Sequence, residues 1–383
     1  MTTLSGHWLD SADTQAVLGL LEEAGHQAYA VGGCVRNALM GLPVADVDIA
    51  TDARPERVMA LAEAAGLKAV PTGIEHGTVT VVANGVGHEV TTFRRDVDTD
   101  GRRAVVAYAD SHEEDAHRRD FTMNALYCRA DGSVIDPLGG LPDLRARRVR
   151  FIDDARERIR EDYLRILRFF RFHAWYGDPA GGLDPEGLAA SAELADGLER
   201  LSRERVGAEM RRLLTAPDPA PAVAAMARAG VLAHVLPGAD DRALAPLVHM
   251  EGATGAAPDW RRRLAVLSGG DPAERLRLSK ADARRLAVLR DGAGSAAPIA
   301  ALGYRHGAGV ARDIGLLRAA LLGGPPAPDL AAEAARGAAA RFPVAAADLM
   351  PGYTGPALGA RLKELEEAWI ASDFRLSREE LLA

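Results

Sequence analysis

The pattern of apolar and polar positions divides this chain in two. Up to about residue 140, short apolar or β-branched runs alternate with amphipathic stretches, and from Leu141 onward strand signals nearly vanish. Residues 12–25 (ADTQAVLGLLEEAG) have the spacing of an amphipathic helix that ends at Gly25. Tyr29–Val31 predicts the end of a strand, Gly32-Gly33 a tight turn, and Val35–Met40 a short helix. Val44–Ala50 (VADVDIA) predicts a second strand. Side chains alternate along a strand, so Asp46 and Asp48 would share one face, with Val47 and Ile49 on the other. Pro55–Ala65 predicts a helix closed by Gly66, and Lys68–Pro71, Thr78–Ala83 and His88–Phe93 predict strands. Arg94–Glu114 is charged and glycine-punctuated, which predicts a long mobile loop with a short strand around Val105–Tyr108. Ordered structure resumes over Arg118–Tyr127, and Val134–Pro137 predicts a last strand.

The remainder reads as helix. Asp153–Trp175 predicts one long amphipathic helix. Others fall near 185–198, 202–215, 219–229, 242–250, 258–268, 281–292, 329–341, 343–350 and 355–371, separated by Gly/Pro-rich breaks. The expected fold class is α+β: a mixed-sheet head of about 140 residues followed by an all-helical extension.

Composition narrows the classes. The 383 residues suffice for two or three domains, and 48% hydrophobic with 26% charged residues is ordinary for a soluble globular protein. A net charge of -8 means that nucleic-acid binding would have to use local basic patches. Cys34 and Cys128 lack metal-ligand spacing and make a disulfide framework unexpected. The start MTTLSGHWLDS lacks a basic segment followed by an apolar one, and no apolar run reaches the ~20 residues of a membrane span. The expectation is a cytoplasmic protein with no membrane partner.

Four groups of residues could carry chemistry. Asp46 and Asp48, with Glu89 in the apolar run HEVTTF as a third carboxylate, suit divalent cations that stabilise both the attacking and the leaving oxygen of a phosphoryl or nucleotidyl transfer. Gly32 and Gly33 would let the backbone approach a polyphosphate, with Arg36 in the following helix able to fork onto a phosphate. The spacing is not the G-x-G-x-x-G of a dinucleotide-binding turn. Arg118, Arg119 and Asp120 could bind phosphate and a ribose hydroxyl, although such a run alone is more often a solvated ion-pair cluster. Glu161, Asp162, Arg165, Arg168 and Arg171 place a carboxylate beside a drifting stripe of arginines. An Asp–Arg pair offers an acceptor next to donors, which matches the Watson–Crick edges of cytosine and adenine. Guanine and uracil would put a carbonyl against the carboxylate, a mismatch costing a few kcal/mol. Without the other groups, an exposed i,i+3 ion pair would explain this spacing equally well.

In this order the motifs resemble those of the class II nucleotidyltransferases, which comprise CCA-adding tRNA nucleotidyltransferases and bacterial poly(A) polymerases. GGCVRN…DVD resembles the family's first motif, RRDFTMNAL the second and EDYLRILR its template motif, with IDPLGG between. The closing FPVAAADLM…GYTGPALGARLKELEEAW is similar to the family's C-terminal region, less specifically. The resemblance implies a nucleotidyltransferase head at 1–145, a helical neck at 146–215 and a helical, tRNA-binding body and tail at 216–383. It implies Mg²⁺ on Asp46 and Asp48, and nucleotide contacts by Gly33, Arg36, Arg119, Asp162, Arg165, Arg168 and Arg171. The Asp–Arg pair would select CTP and then ATP, and the 3′ end of tRNA would supply the attacking hydroxyl. The 94–114 loop corresponds to an element needed for the switch to ATP. Asn37 stands where the family usually has Asp. A poly(A) polymerase would be expected to carry a basic GRRF-like element where this chain has PTGIEHGTVTVV, and a basic C-terminus where it has SREELLA, so CCA addition is favoured. No obligate protein partner is evident.

Overall fold

The computed structural model describes residues 2–96, 106–267 and 269–383. Its first apolar runs form β1 (Ala28–Val31), β2 (Asp48–Thr51), β3 (Lys68–Gly73), β4 (Thr78–Ala83) and β5 (Val86–Thr92). They are followed by β6 (Arg94–Asp96), β7 (Val106–Tyr108), β8 (Tyr127–Cys128) and β9 (Val134–Ile135). Seven of these make one sheet in the order β3-β4-β5-β2-β1-β8-β9, while β6 and β7 pair separately. Within the sheet β2 and β5 run parallel and all other neighbours antiparallel. The strand AYAV (β1) lies near the centre with all four residues buried, which accounts for its lack of a polar alternation. In β4 the valines at 79 and 81 face the core and the threonines at 78 and 80 are only half-buried.

The helices of this part are α1 (His7–Asp10), α2 (Ala12–Glu23), α3 (Gly33–Leu39), α4 (Pro55–Ala64), α5 (His112–His117) and α6 (Gly140–Arg145). Then come α7 (Ala155–Glu161), α8 (Leu164–Tyr176), α9 (Pro185–Glu193) and α10 (Arg203–Leu214). Helix α2 lays Val17, Leu18 and Leu21, all fully buried, against the sheet. Helix α8 is anchored by an aromatic cluster in which Phe121 meets Phe151 and Phe172 at ring-centroid distances of 5.0 and 4.9 Å.

The later helices are α11 (Ala220–Arg228), α12 (Val231–Val235), α13 (Leu244–Thr254), α14 (Trp260–Val266), α15 (Pro272–Arg275) and α16 (Lys280–Gly294). They continue with α17 (Ile299–His306), α18 (Ala308–Leu322), α19 (Leu330–Ala339), α20 (Ala346–Leu349), α21 (Gly355–Ala371) and α22 (Arg378–Leu382). Packing divides the chain into two compact units, Met1–Glu209 with Arg228–His234, and Met210–Ala227 with Val235–Ala383. Among the described residues no helix is long and apolar enough to cross a membrane.

The structure corrects the sequence reading in several places. The strand expected over Val44–Ala50 begins only at Asp48; on one side its partner β1 ends at Val31, where the chain turns into α3, and the pairing with β5 on the other side starts at Asp48. Asp46 therefore precedes the ladder. Of the stretch expected to be a loop with a short strand around Val105–Tyr108, the described parts hold that strand as β7, paired with β6, and the start of helix α5, while 97–105 lies outside the described residues. The single helix expected over Asp153–Trp175 breaks at Asp162-Tyr163. The Asp162 side chain accepts from the Leu164 backbone N–H at 3.1 Å, the local competition that makes Asp a terminator and cap rather than a helix interior residue. The helices α17 and α18 were not expected. Four glycines between 299 and 322 weaken the local signal, and packing against α19 supplies what propensity does not. The helix expected at 343–350 shrinks to Ala346–Leu349, and that at 242–250 extends to Thr254.

Candidate active site

A cavity of about 430 Å³ opens beside the β1–α3 turn. Its lining brings together Gly32, Gly33, Arg36, Asp48, Arg118, Arg119, Asp120, Asp162, Arg165 and Arg168 from the predicted set, and adds Asn124, Leu164, Phe172 and Arg205. Of the predicted residues, Asp46, Glu89, Glu161 and Arg171 do not line it.

The turn is built by Gly32 at φ 72°, a left-handed conformation that side chains rarely adopt. A Cβ there would make ordinary contact with Arg119 Nη1, at 3.4 Å, and with the Asn124 carbonyl oxygen, at 3.7 Å, so the positive φ rather than lack of space calls for glycine, and the Arg119 guanidinium lies over the turn. Arg119 is held from behind: Nε and Nη2 donate to Asp115 Oδ2 at 3.1 and 2.8 Å, and Nε also reaches Tyr127 Oη at 3.2 Å. Burial works against the charge on Arg119, but Asp115 beside it raises its pKa above the ordinary value.

Arg36 is only 6% exposed and is largely committed to the protein. It donates to Asn124 Oδ1 at 2.5 Å, to Asn37 Oδ1 at 2.9 Å and to Tyr176 Oη at 2.9 Å, and it lies 3.9 Å from the centre of the Tyr176 ring. Asn37 thus serves here as a local acceptor for Arg36. Three guanidiniums, those of Arg36, Arg168 and Arg171, surround the Phe172 ring at 5.2, 5.3 and 4.5 Å.

Asp48 opens into the cavity from β2 and is the register partner of Glu89 on the parallel strand β5, which puts both carboxylates on the same face. Burial among neighbouring atoms pushes the Asp48 acid up from its usual value. The Glu89 carboxylate adds to this, Arg119 partly offsets it, and Asp46 adds again. Such under-compensated negative charge fits a divalent cation. Among the described residues no three His, Cys, Asp or Glu side chains already form a closed metal cage. An ion here would be held by one or two carboxylates and complete its shell with water and substrate oxygens, the habit of Mg²⁺.

Opposite, Asp120 accepts from Asn124 Nδ2 at 2.8 Å and from Arg168 through both Nε, at 2.8 Å, and Nη2. Burial raises its pKa, but Arg168 and Asn124 bring it below the usual carboxylate range. Asp162 and Arg165 reach the same cavity without pairing with each other. Asp162 Oδ2 takes Arg205 Nη2 at 2.7 Å, whereas Arg165 pairs with Glu161 and donates to the carbonyl oxygens of Arg158, at 2.7 Å, and Arg118, at 3.3 Å. The bend that carries Asp162 is fixed by Tyr163. Its ring packs so tightly on Gly197 that a Cβ at that position would lie 1.8 Å away. Arg171 points elsewhere, to Glu209 Oε2 at 2.5 Å. A spacing of three advances a side chain by ~300° around a helix, so by the third arginine the stripe has drifted off the cavity.

Several site residues escaped the sequence reading. Asn124 lies within RRDFTMNAL, whose first residues drew the attention. Arg205 sits about 40 residues beyond Asp162, and nothing in its own stretch marks it. Asp115 fell in the short gap between the segment read as loop, which ended at Glu114, and the ordered stretch from Arg118.

A glycine turn, carboxylates on paired strands and an arginine-lined cavity define a nucleotidyltransferase head. Residues 28–150 match the family described as "Poly A polymerase head domain", and residues 182–242 match "Probable RNA and SrmB- binding site of polymerase A". The chain belongs to the family of CCA-adding enzymes. It is 31% identical to the Bacillus stearothermophilus CCA-adding enzyme, whose crystal structure was solved in complex with CTP. The match covers 94% of this chain and 93% of that one, with a TM-score of 0.76. The fold is also that of the Thermotoga maritima CCA-adding enzyme complexed with tRNA-CCA (19% identity, 100% and 98% coverage, TM-score 0.70). Human mitochondrial CCA tRNA nucleotidyltransferase 1 is 41% identical over 196 residues, 51% of this chain and 45% of that protein. The Lacticaseibacillus paracasei CCA-adding enzyme is 45% identical over 204 residues, 53% and 50%. The chain thus spans about half the length of these last two relatives.

Proposed function

We propose that this protein adds C, C and A to the 3′ end of tRNA from CTP and ATP, without a nucleic-acid template and with release of pyrophosphate. One observation carries the reading: the glycine turn, Asp48, Arg119, Asp162 and Arg165 converge on one cavity of about 430 Å³. The terminal hydroxyl oxygen of tRNA would form a bond to the α-phosphorus as the bond to the β-phosphate oxygen breaks. Asp46 and Asp48 would hold two Mg²⁺ ions, with Glu89 as a supporting carboxylate. When bound, these ions stabilise charge on the attacking and leaving oxygens.

The chain's own residues orient the nucleotide. The Gly32-Gly33 backbone and Arg119 receive the triphosphate, and Arg36 braces the turn from below. Asp120 fixes Arg168 along the cavity wall. Asp162 would accept from the exocyclic amino group of cytosine or adenine while Arg165 donates to the adjacent ring nitrogen. The Nε–H of Arg165 and one of its Nη2–H groups are left over from the bonds described above, so it can do this without breaking its ties. Asp162 would exchange its Arg205 contact for the base. The helical body and tail, 216–383, would hold the tRNA.

The test supplies purified protein with Mg²⁺, each labelled nucleoside triphosphate and a tRNA lacking its CCA end. Incorporation of two C and one A is expected, whereas a long A tract would replace this reading with poly(A) polymerase. Asp48→Ala is expected to lower incorporation at least about a thousandfold while tRNA affinity stays unchanged. Loss of tRNA binding in that variant would make the residue structural.

A further inference from the structure

Asp115 has no part in the function above, yet it is among the most heavily engaged acids of the head. It is 1% exposed, in helix α5, whose N-terminus is capped by Ser111. Its two carboxylate oxygens collect donors from three elements. Oδ1 accepts from Arg118 Nε at 2.8 Å and from the Arg94 backbone N–H, at the start of β6, at 3.3 Å. Oδ2 accepts from Arg119 Nε and Nη2 and, at 2.9 Å, from Tyr127 Oη on β8. A carboxylate buried this deeply requires such partners, but the partners it has are informative. Two of them are cavity-lining arginines. One carboxylate against two guanidiniums leaves a positive charge uncompensated at the cavity wall.

The geometry also fixes where that charge points. Arg119 is tied along its Nε and Nη2 edge to Asp115 and lies over the Tyr127 ring at 5.4 Å, so its remaining nitrogen, Nη1, is the one standing over Gly32. None of the bonds to Asp115 involves Asp162 or Arg165, the residues proposed to read the base.

We infer that Asp115 is a positioning residue for the triphosphate end of the substrate: it locks Arg118 and Arg119 so that their free edges face the phosphates at the Gly32 turn, equally for CTP and ATP. This rests on the reading of the cavity as a nucleotide site. A group acting on the phosphates must affect both nucleotides alike, whereas one acting on the base must not.

The experiment compares the full-length protein with Asp115→Asn. It measures affinity for inorganic tripolyphosphate with Mg²⁺ by calorimetry, kcat and KM for CTP and ATP on tRNA lacking CCA, and the unfolding temperature. The expected result is about tenfold or greater weakening of tripolyphosphate binding. kcat/KM should fall by a matching factor for both nucleotides, with the CTP:ATP ratio held within about twofold and partial recovery in Asp115→Glu. Unchanged tripolyphosphate affinity in a folded Asp115→Asn protein overturns the inference, as does a change in the CTP:ATP ratio. Should Asp115→Asn fail to fold, Tyr127→Phe removes one donor from the same oxygen while keeping the ring. It should reproduce the pattern at smaller size, and wild-type tripolyphosphate affinity there would also overturn it. If the wild-type protein incorporates neither nucleotide, the functional reading fails, and the tripolyphosphate comparison still decides the role of Asp115.

Discussion

Two arginine–carboxylate clusters, one in each compact unit, use the same residues to opposite ends. In the first unit six arginines line the candidate cavity against three aspartates. In the second, Arg262 and Arg263 of α14 converge on Glu251 of α13, and Arg262 with Arg285 on Asp313 of α18. There Arg262 and Arg263 are closed off by burial. Arg263, 1% exposed, also donates to the carbonyl oxygens of Leu214, Ala216 and Pro217, and Arg262 to that of Ala257. At the cavity, by contrast, an edge of Arg119 and donors of Arg165 remain after the protein's own bonds are made. An arginine cluster is a site when its donors outnumber the acceptors the fold provides, and a staple when they do not. Charge count along the sequence does not distinguish the two.

This contrast can be broken in order of expected size. Glu251→Ala should be the most damaging to the fold, because it leaves two buried guanidiniums short of their shared carboxylate. A loss of about 3–5 kcal/mol is expected in denaturant titration, with turnover per folded molecule unchanged. A smaller loss would mean that the carbonyl oxygens suffice. Arg165→Ala at the cavity should do the reverse: discrimination against UTP drops by about tenfold while stability shifts by no more than about 1 kcal/mol. Undiminished discrimination would remove Arg165 from base reading.

The smallest effect is in acid. The folded-state pKa of Asp120 is lowered, with Arg168 and Asn124 overcoming the opposing effect of burial. Its contribution is therefore fully present above the ordinary carboxylate value near 4 and is lost as pH falls through the lowered value. The stability gap between wild type and Asp120→Asn should narrow below about pH 4. A gap that stays constant would mean that the pair is not held by charge.

Much of the head was legible along the chain. The run AYAV, the alternation TVTVVA and the glycine pair each report a local requirement: burial on both faces, burial on one, and a positive φ at Gly32. The candidate site was legible as residue types in order, since ten of the predicted residues reach one cavity. What failed failed for identifiable reasons. The strand before Asp48 was read from its own alternation, but a strand exists only where a neighbour pairs with it; β1 stops at Val31, and the pairing with β5 starts at Asp48. The break at Asp162 depends on one side chain competing with the backbone, which helical periodicity does not report.

The sequence by itself determined the ingredients: the glycine turn, the carboxylates of β2 and β5, the arginine-rich helix, and the alternation that buries one face of each strand. These are properties of residues and their near neighbours, carried by local sterics and periodicity. Only the tertiary structure decided partnership. It gave Asp162 to Arg205 rather than Arg165, turned Arg171 to Glu209, and made Asp115 the anchor of Arg118 and Arg119. It also sealed Arg262 and Arg263 into a core. Which donor meets which acceptor depends on distances between segments far apart in the chain, and those are set by packing alone.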